Sequence, residues 1–172
     1  MERLGKEVRI HRLETNLWLP QPRDRIFEFF ANPINLERLT PDWLSFKILT
    51  KLPAELNEGT VLDYRLRIHG LPLKWQSRIT DWKPPHSFVD RQIKGPYRLW
   101  IHEHTFTEAA GGTSVGDHVQ YSVRGGMLVN RLLVAPDLQR IFAYRHRVLQ
   151  LIFNPDNKMA QTIDSKEPSC EP

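Results

Sequence analysis

Apolar and polar residues alternate along most of the chain between residues 8 and 123, and turn signals interrupt the alternation at regular intervals. Alternation with a period of two predicts strands that bury one face. Pairs such as Gly95-Pro96 and Gly111-Gly112 mark the turns between neighbouring strands. Together these signals predict an antiparallel meander. The predicted strands cover residues 8–19, 44–52, 59–69, 73–82, 87–94, 97–107 and 113–123.

Helical periodicity appears in two places. After the first strand, residues 22–31 carry apolar side chains at helical spacing, and Pro33 separates this helix from a second short one over residues 34–39. Near the end of the chain, a longer apolar stripe predicts one C-terminal helix. Pro136 lies inside that helix, so we expect a kink or a late start there. The stripe consists of Leu128, Leu132, Leu138, Ile141, Phe142, Leu149 and Ile152.

The order of these elements predicts an α+β fold. A curved antiparallel sheet of about seven strands would wrap around the long helix, the only element long enough to cover its apolar face. We expect a central cavity between sheet and helix, with the two short helices closing one end. Residues 1–153 are assigned to this single domain. Residues 154–172 are polar and are expected to form a disordered tail.

The segment from residue 100 to residue 106 has one face of unusual chemistry. Trp100, His102, His104 and Phe106 share one parity and therefore one face of a strand. Imidazoles change charge near neutral pH, and here they lie between two aromatic rings. Such a face suits the wall of a small-molecule cavity better than a plain core. His102 and His104 are therefore candidate catalytic and ligand-binding residues.

Asp117 and Tyr121 share a parity on the next strand and can stand beside the histidines if the two strands form a hairpin. A carboxylate would fix the imidazole tautomer, and a tyrosine hydroxyl can donate to a carbonyl, so both residues join the catalytic candidates. The alternative is a satisfied hydrogen-bond network inside the sheet. A metal site completed by Asp117 or Asp90 is a further alternative. No cysteine and no tight ligand spacing supports it, so we expect no metal.

Three other polar residues are candidates for ligand contacts. Asp90 and Gln92 share a parity on the strand that precedes the histidines, and that parity faces either the cavity or solvent. Arg145 lies near the apolar stripe of the long helix. It can clamp an anionic group, pair with a buried acid such as Asp117, or extend along the helix edge to solvent.

Four aromatic residues on predicted strands, Tyr64, Trp75, Trp100 and Phe106, would supply aromatic cavity walls. Aromatic residues on strands more often form simple core, and only a void beside them distinguishes the two roles. The candidate ligand-binding set is therefore Tyr64, Trp75, Asp90, Gln92, Trp100, His102, His104, Phe106, Asp117, Tyr121 and Arg145.

Composition narrows the partners and the compartment. The chain has 172 residues, a net charge of +4 and 40% hydrophobic residues, as in an ordinary globular domain. Its basic residues are scattered, so a nucleic acid partner is not expected. No apolar stretch approaches the roughly 18 residues of a membrane span, and the first residues lack an apolar signal core. With Cys170 as the single cysteine, we expect a cytoplasmic protein without stable membrane insertion.

Four segments of the sequence resemble a known superfamily. They are PRDRIFEFFANPINLERLTPDWL, FVDRQIKGPYRLWIHEHTF, GGTSVGDHVQY and IFAYRHRVL. In these segments and in its order of elements, the chain resembles the START/Bet v 1-like superfamily of helix-grip domains, also called SRPBCC, in its polyketide cyclase/dehydrase-like branch. The resemblance implies a central cavity that binds lipids, sterols, polyketides or other hydrophobic molecules, and it implies no metal. It also favours cavity positions for Asp90 and Gln92.

Three functions follow from this reading. The first is binding, or transport, of a hydrophobic small molecule such as a lipid or polyketide, with the aromatic walls supplying affinity and the polar groups orientation. The second is a cyclase/dehydrase-type enzyme that uses His102 or His104 as general base. The third is a protein-interaction module with a filled core. The sequence contains no phosphate loop, nucleophile elbow or metalloprotease motif. We expect no cofactor, and a monomer or homodimer.

Overall fold

Seven strands form a single antiparallel sheet in the order β1-β7-β6-β5-β4-β3-β2. The computed structural model describes residues 9–51 and 56–154, so Val8 of the predicted first strand and the predicted tail over residues 155–172 lie outside the described residues. Strands β2 to β7 follow one another as the predicted meander, and β1 completes the sheet beside β7. The strands are β1 His11–Leu19, β2 Lys47–Ile48, β3 Val61–Ile68, β4 Leu71–Lys83, β5 Ser87–Lys94, β6 Leu99–Ala109 and β7 Gly112–Ser122.

The β6–β7 hairpin sets the register on which the candidate site depends. Its turn consists of Ala110 and Gly111, both with positive φ (47° and 75°), the conformation that two-residue hairpin turns require. Ala109 pairs with Gly112, as expected for a hairpin around residues 108–112. From this turn the side chains alternate, so that every second residue of β6 is buried.

The second strand is much shorter than predicted. Residues 44–52 were expected to form it; Leu52 lies outside the described residues, and among residues 44–51 the strand is limited to Lys47–Ile48. The preceding residues Asp42–Leu44 form a 3₁₀ turn, and Ser45 follows in the left-handed conformation with φ 44°. A left-handed residue cannot continue an extended strand, so pairing begins only after it.

The helices agree with the sequence in position and differ in detail. The two short helices are α1, Arg23–Ala31, and α2, Asn35–Arg38. The C-terminal helical region has three parts: α3 Gly126–Val129, a π-helical turn Asn130–Val134, and α4 Ala135–Phe153. Pro136 has no N–H to donate to the carbonyl four residues earlier. The irregular turn therefore precedes the proline, and the helix continues after it.

Sheet and helices enclose two groups of buried apolar residues. One contains Phe27, Phe30, Phe88 and Phe106. The other contains Trp100, Phe142 and their neighbours near the middle of β7. No described helix is both long enough and apolar enough to cross a membrane.

Candidate functional site

A cavity of about 200 Å³ lies between the inner face of the sheet, helix α2 and helix α4. Members of both apolar groups form its wall, among them Phe30 and Phe88 of the first and Trp100 and Phe142 of the second. The interior of this domain is therefore not fully packed, which agrees with the expected central cavity rather than with the alternative of a filled core. Asp90, His102, His104 and Arg145 meet at one part of this wall.

Strand register brings the carboxylates and the imidazoles together. Asp90 on β5 is paired with His102 on β6, and His104 on β6 is paired with Asp117 on β7. Because residues two apart on a strand share a face, the two imidazoles stand side by side between the two carboxylates. Their ring centroids are 3.8 Å apart. We refer to Asp90, His102, His104, Asp117 and Arg145 as the polar cluster.

Each imidazole lies between both carboxylates of the polar cluster. On the side of Asp117, its Oδ1 is 2.9 Å from Nε2 of His102 and 3.2 Å from Nδ1 of His104. On the side of Asp90, its Oδ2 is 3.4 Å from Nδ1 of His102 and 3.4 Å from Nε2 of His104. The contacts with Asp117 are thus shorter than the contacts with Asp90. Asp117 is also the more deeply buried residue, with its side chain 1% exposed.

Arg145 adds a cation from the long helix. Its Nη2 lies 3.8 Å from Oδ1 of Asp117 and 3.4 Å from Nδ1 of His104. The guanidinium also covers the rings of Phe30 and Phe142, at 5.2 and 5.9 Å from their centroids. Of the three roles that the sequence left open for Arg145, the structure shows the pairing with buried Asp117. Extension to solvent is excluded, because the residue is buried.

The cluster shifts the pKa values of its two histidines in opposite directions. Burial alone would lower the pKa of His102, but hydrogen bonds to Asp117 and Asp90 raise it. Burial lowers the pKa of His104, and the charge on His102 lowers it further. The tautomer of neutral His104 decides its hydrogen bonds: with the proton on Nε2 it donates to Asp90 and accepts from Arg145 at Nδ1, and with the proton on Nδ1 it donates to Asp117.

Both carboxyl groups of the cluster are ionised. Burial would raise the pKa of Asp117, but the charge of Arg145 and the imidazole hydrogen bonds hold it well below its usual range. Burial likewise opposes ionisation of Asp90, and hydrogen bonds from His102 and His104 lower its pKa all the same. Two anions therefore face the Arg145 guanidinium and His102, the imidazole whose pKa is raised, so positive and negative groups offset each other within the polar cluster.

The structure brings most of the predicted site residues together. Tyr64, Trp75 and Trp100 line the cavity beside the polar cluster. The Trp75 and Trp100 rings meet edge to face with centroids 5.2 Å apart. Asp117 lies behind the histidines and reaches the cavity only through them, since it is not part of the wall.

Three predicted cavity residues lie elsewhere. Phe106 is fully buried among the phenylalanines of the core and has no place on the cavity wall. Tyr121 pairs in register with Trp100 rather than with a histidine, and its ring packs among aromatic neighbours. Gln92 lies beyond the last β5–β6 pair and is not part of the cavity wall. Its side-chain Nε2 donates to the carbonyl of Tyr97.

The sequence did not predict two hydroxyl residues that belong to the site. Ser77 on β4 lines the cavity and hydrogen-bonds to the hydroxyl of Tyr64. Its position between Trp75 and Ile79, with the same parity on the strand, is the pattern from which the sequence could have predicted it.

Thr15 on β1 donates from Oγ1 to Oδ2 of Asp117 at 3.4 Å. Thr15 has no comparable signal, because its pairing with Asp117 depends on the register of β1 on β7.

A larger open groove of about 790 Å³ lies on the outer side of the same region. Thr40, Phe46 and Leu66 line both this groove and the cavity. No residue of the polar cluster is in the groove. The groove and the cavity therefore adjoin at these three side chains.

Comparison with known proteins gives a family match over most of the chain. Residues 19–143 match the family model described as polyketide cyclase / dehydrase and lipid transport. This match confirms the resemblance seen in the sequence. No curated protein matches the chain.

Solved structures show the same fold at low sequence identity. Protein Ms6760 from Mycobacterium smegmatis is 18% identical, with a TM-score of 0.63 over 85% of this chain and 92% of that one. Protein CV1439 from Chromobacterium violaceum is 14% identical, with a TM-score of 0.65 over 84% and 99%. Ginseng major latex-like protein 151 from Panax ginseng is 12% identical, with a TM-score of 0.62 over 85% and 99%. The predicted helix-grip fold is thereby confirmed.

Proposed function

Because the chain belongs to the polyketide cyclase / dehydrase and lipid transport family, we propose that it binds a small, largely apolar molecule with a hydroxyl or carbonyl group. The observation that carries this proposal is the cavity itself, with aromatic and aliphatic walls and one polar cluster. Apolar walls supply affinity without direction, and a few fixed polar groups orient the ligand.

The size of the cavity favours a compact ligand. A volume of about 200 Å³ lies below the range of about 300–1,000 Å³ that pockets for drug-sized ligands span. One or two fused rings fill such a space, whereas a long acyl chain does not. The rings of Trp75 and Trp100 on the wall offer faces and edges against which a flat ligand can pack.

The charge balance of the polar cluster favours a neutral polar group on that ligand. A carboxylate would add a third anion to a buried site that already holds the two carboxylates of Asp90 and Asp117, and this costs free energy. A hydroxyl can donate to Asp90, and a carbonyl can accept from an imidazole N–H. Aromatic polyketides carry both groups on fused rings. Within the family's range, they fit the cavity better than fatty acids.

Paired probes test this proposal. In protein treated with a chelator to remove any bound metal, 2-naphthol is expected to bind about 10- to 150-fold more tightly than naphthalene, because one hydrogen bond to a charged group contributes about 1.5–3 kcal/mol. Isothermal titration of both compounds gives the ratio. Equal affinities would show that the polar cluster does not meet the ligand. Failure of both compounds to bind would remove the cavity as a ligand site.

A cyclase/dehydrase-type enzyme is the second candidate, favoured by the two imidazoles on the wall of the same cavity. An imidazole can remove a proton from a carbon beside a carbonyl when the two lie within about 3 Å. In this case the protein would accelerate exchange of the α protons of 1-tetralone for deuterium, as followed by NMR, and His104→Gln would abolish the acceleration. Binding of 1-tetralone with exchange at the uncatalysed rate would leave binding as the function.

A further inference from the structure

We propose that Asp90, His102 and His104 form a binding site for a divalent transition metal ion, with zinc as its first occupant. This goes beyond the proposed function and differs from the expectation of no metal drawn from the sequence. The three side chains offer one carboxylate oxygen and two imidazole nitrogens, a donor set that zinc accepts. All three donor atoms lie within 4.8 Å of one another.

The spacing of the donor atoms fits tetrahedral coordination. With bonds of about 2.0–2.1 Å, neighbouring ligand atoms around zinc are separated by about 3.3 Å. Asp90 Oδ2 is 3.4 Å from Nδ1 of His102 and 3.4 Å from Nε2 of His104. Two of the ligand-to-ligand distances that a tetrahedral zinc site requires are therefore already present. Both distances are long for hydrogen bonds, whose usual N–O distance is about 2.9–3.0 Å.

Asp117 has the position of a supporting carboxylate behind the metal ligands. Its Oδ1 lies 2.9 Å from Nε2 of His102 and 3.2 Å from Nδ1 of His104, the ring nitrogens on the far side from Asp90. Metal-binding histidines commonly donate their second N–H to such an acceptor, which fixes ring orientation and tautomer. One buried carboxylate does this here for both rings. Arg145 balances its charge from helix α4.

The proposed site has protein ligands on one side and the cavity on the other. Asp90, His102 and His104 all line the cavity, so a fourth coordination position would face the bound molecule. Three protein ligands with one position for water or substrate is the arrangement of reactive rather than purely structural zinc sites. The ligand class that it would take is an oxygen donor, such as a ketone or an enolate. Zinc would then bind the same polar group that the cavity orients.

Zinc and cobalt(II) titrations of the full chain, freed of metal with a chelator, test this proposal. We expect one zinc per chain by calorimetry and the visible absorption of tetrahedral cobalt(II). Asp90→Asn removes one ligand charge at nearly constant volume and should weaken zinc binding by at least about tenfold. Asp117→Asn should weaken it by about 10- to 100-fold. Asp81→Asn, an exposed acid on the neighbouring strand β4, should leave it unchanged.

Three results would overturn the metal site. They are absence of saturable zinc binding by the wild-type chain, a six-coordinate cobalt spectrum, and equal zinc affinities of the wild type and Asp90→Asn. The last of these would place the ion on exposed histidines such as His69 or His118. Circular dichroism confirms that each variant is folded before titration. Because 2-naphthol binding is measured in metal-free protein, a failed metal site and a failed ligand cavity give different results.

Discussion

Asp117→Asn is expected to lower the free energy of unfolding by about 3–5 kcal/mol, the range for breaking a buried ion pair. The Asp117 side chain is 1% exposed and lies within 4 Å of His102, His104 and Arg145. The substitution keeps the shape of the side chain and removes its charge. Arg145 would then lose its carboxylate partner and His102 would keep only that of Asp90, and both residues are buried away from the solvent that could compensate.

Urea unfolding of the variant and of two controls separates this effect from general damage. Asp24→Asn changes an exposed aspartate, 75% exposed at the side chain, and should alter stability by no more than about 0.5 kcal/mol. Asp117→Asn combined with Arg145→Met removes one charge of each sign. Part of the lost stability should return, giving a coupling energy of about 1–3 kcal/mol. A loss below about 1 kcal/mol in the single variant would show that the cluster does not depend on this charge.

Ile141→Trp is expected to reduce the affinity for 2-naphthol by more than about 30-fold, equivalent to about 2 kcal/mol. Ile141 lines the cavity from helix α4 and belongs to neither of the two apolar groups found among the described residues. An indole at this position would enter the cavity rather than a packed core. The ligand would then have to displace that ring or force the walls apart, and overpacking is costly.

A matched tryptophan on the same helix controls for the change in side-chain size. Leu151→Trp alters a leucine that is 41% exposed and does not line the cavity. It should bind 2-naphthol with the affinity of the wild type. Equal affinity in Ile141→Trp and Leu151→Trp would place the bound naphthol outside this cavity. Calorimetry is preferred to fluorescence here, because both variants add an indole.

The sequence contained enough information to predict the histidine face and its first partner. Alternation along residues 100–106 and the Gly111-Gly112 turn determine which side chains of β6 and β7 share a face. The position of Asp117 opposite His104 follows from that hairpin. Local periodicity was sufficient here, because a short turn sets the register of adjacent strands.

Other features of the site and the fold depend on contacts that local alternation in the sequence does not predict. The burial of Arg145 depends on where helix α4 crosses the sheet, and the contact with Asp117 joins residues 28 positions apart in sequence. Gln92 has the parity of Asp90, yet it lies past the end of the strand pairing and bonds to the backbone of Tyr97. Strand β2 is short because Ser45 adopts the left-handed conformation. The sequence does not predict this, because a serine gives no local signal for that conformation.

Native mass spectrometry of the chain purified from its own host is the most direct test of whether the cavity binds a small molecule. We expect the wild-type protein to carry one compact apolar molecule, aromatic or otherwise, with a hydroxyl or carbonyl group. The Ile141→Trp protein should not carry it. Extraction of the bound molecule would identify its functional groups. Two results would contradict ligand binding in this cavity. Both proteins could carry the same molecule, or both could be purified without a ligand and fail to bind 2-naphthol.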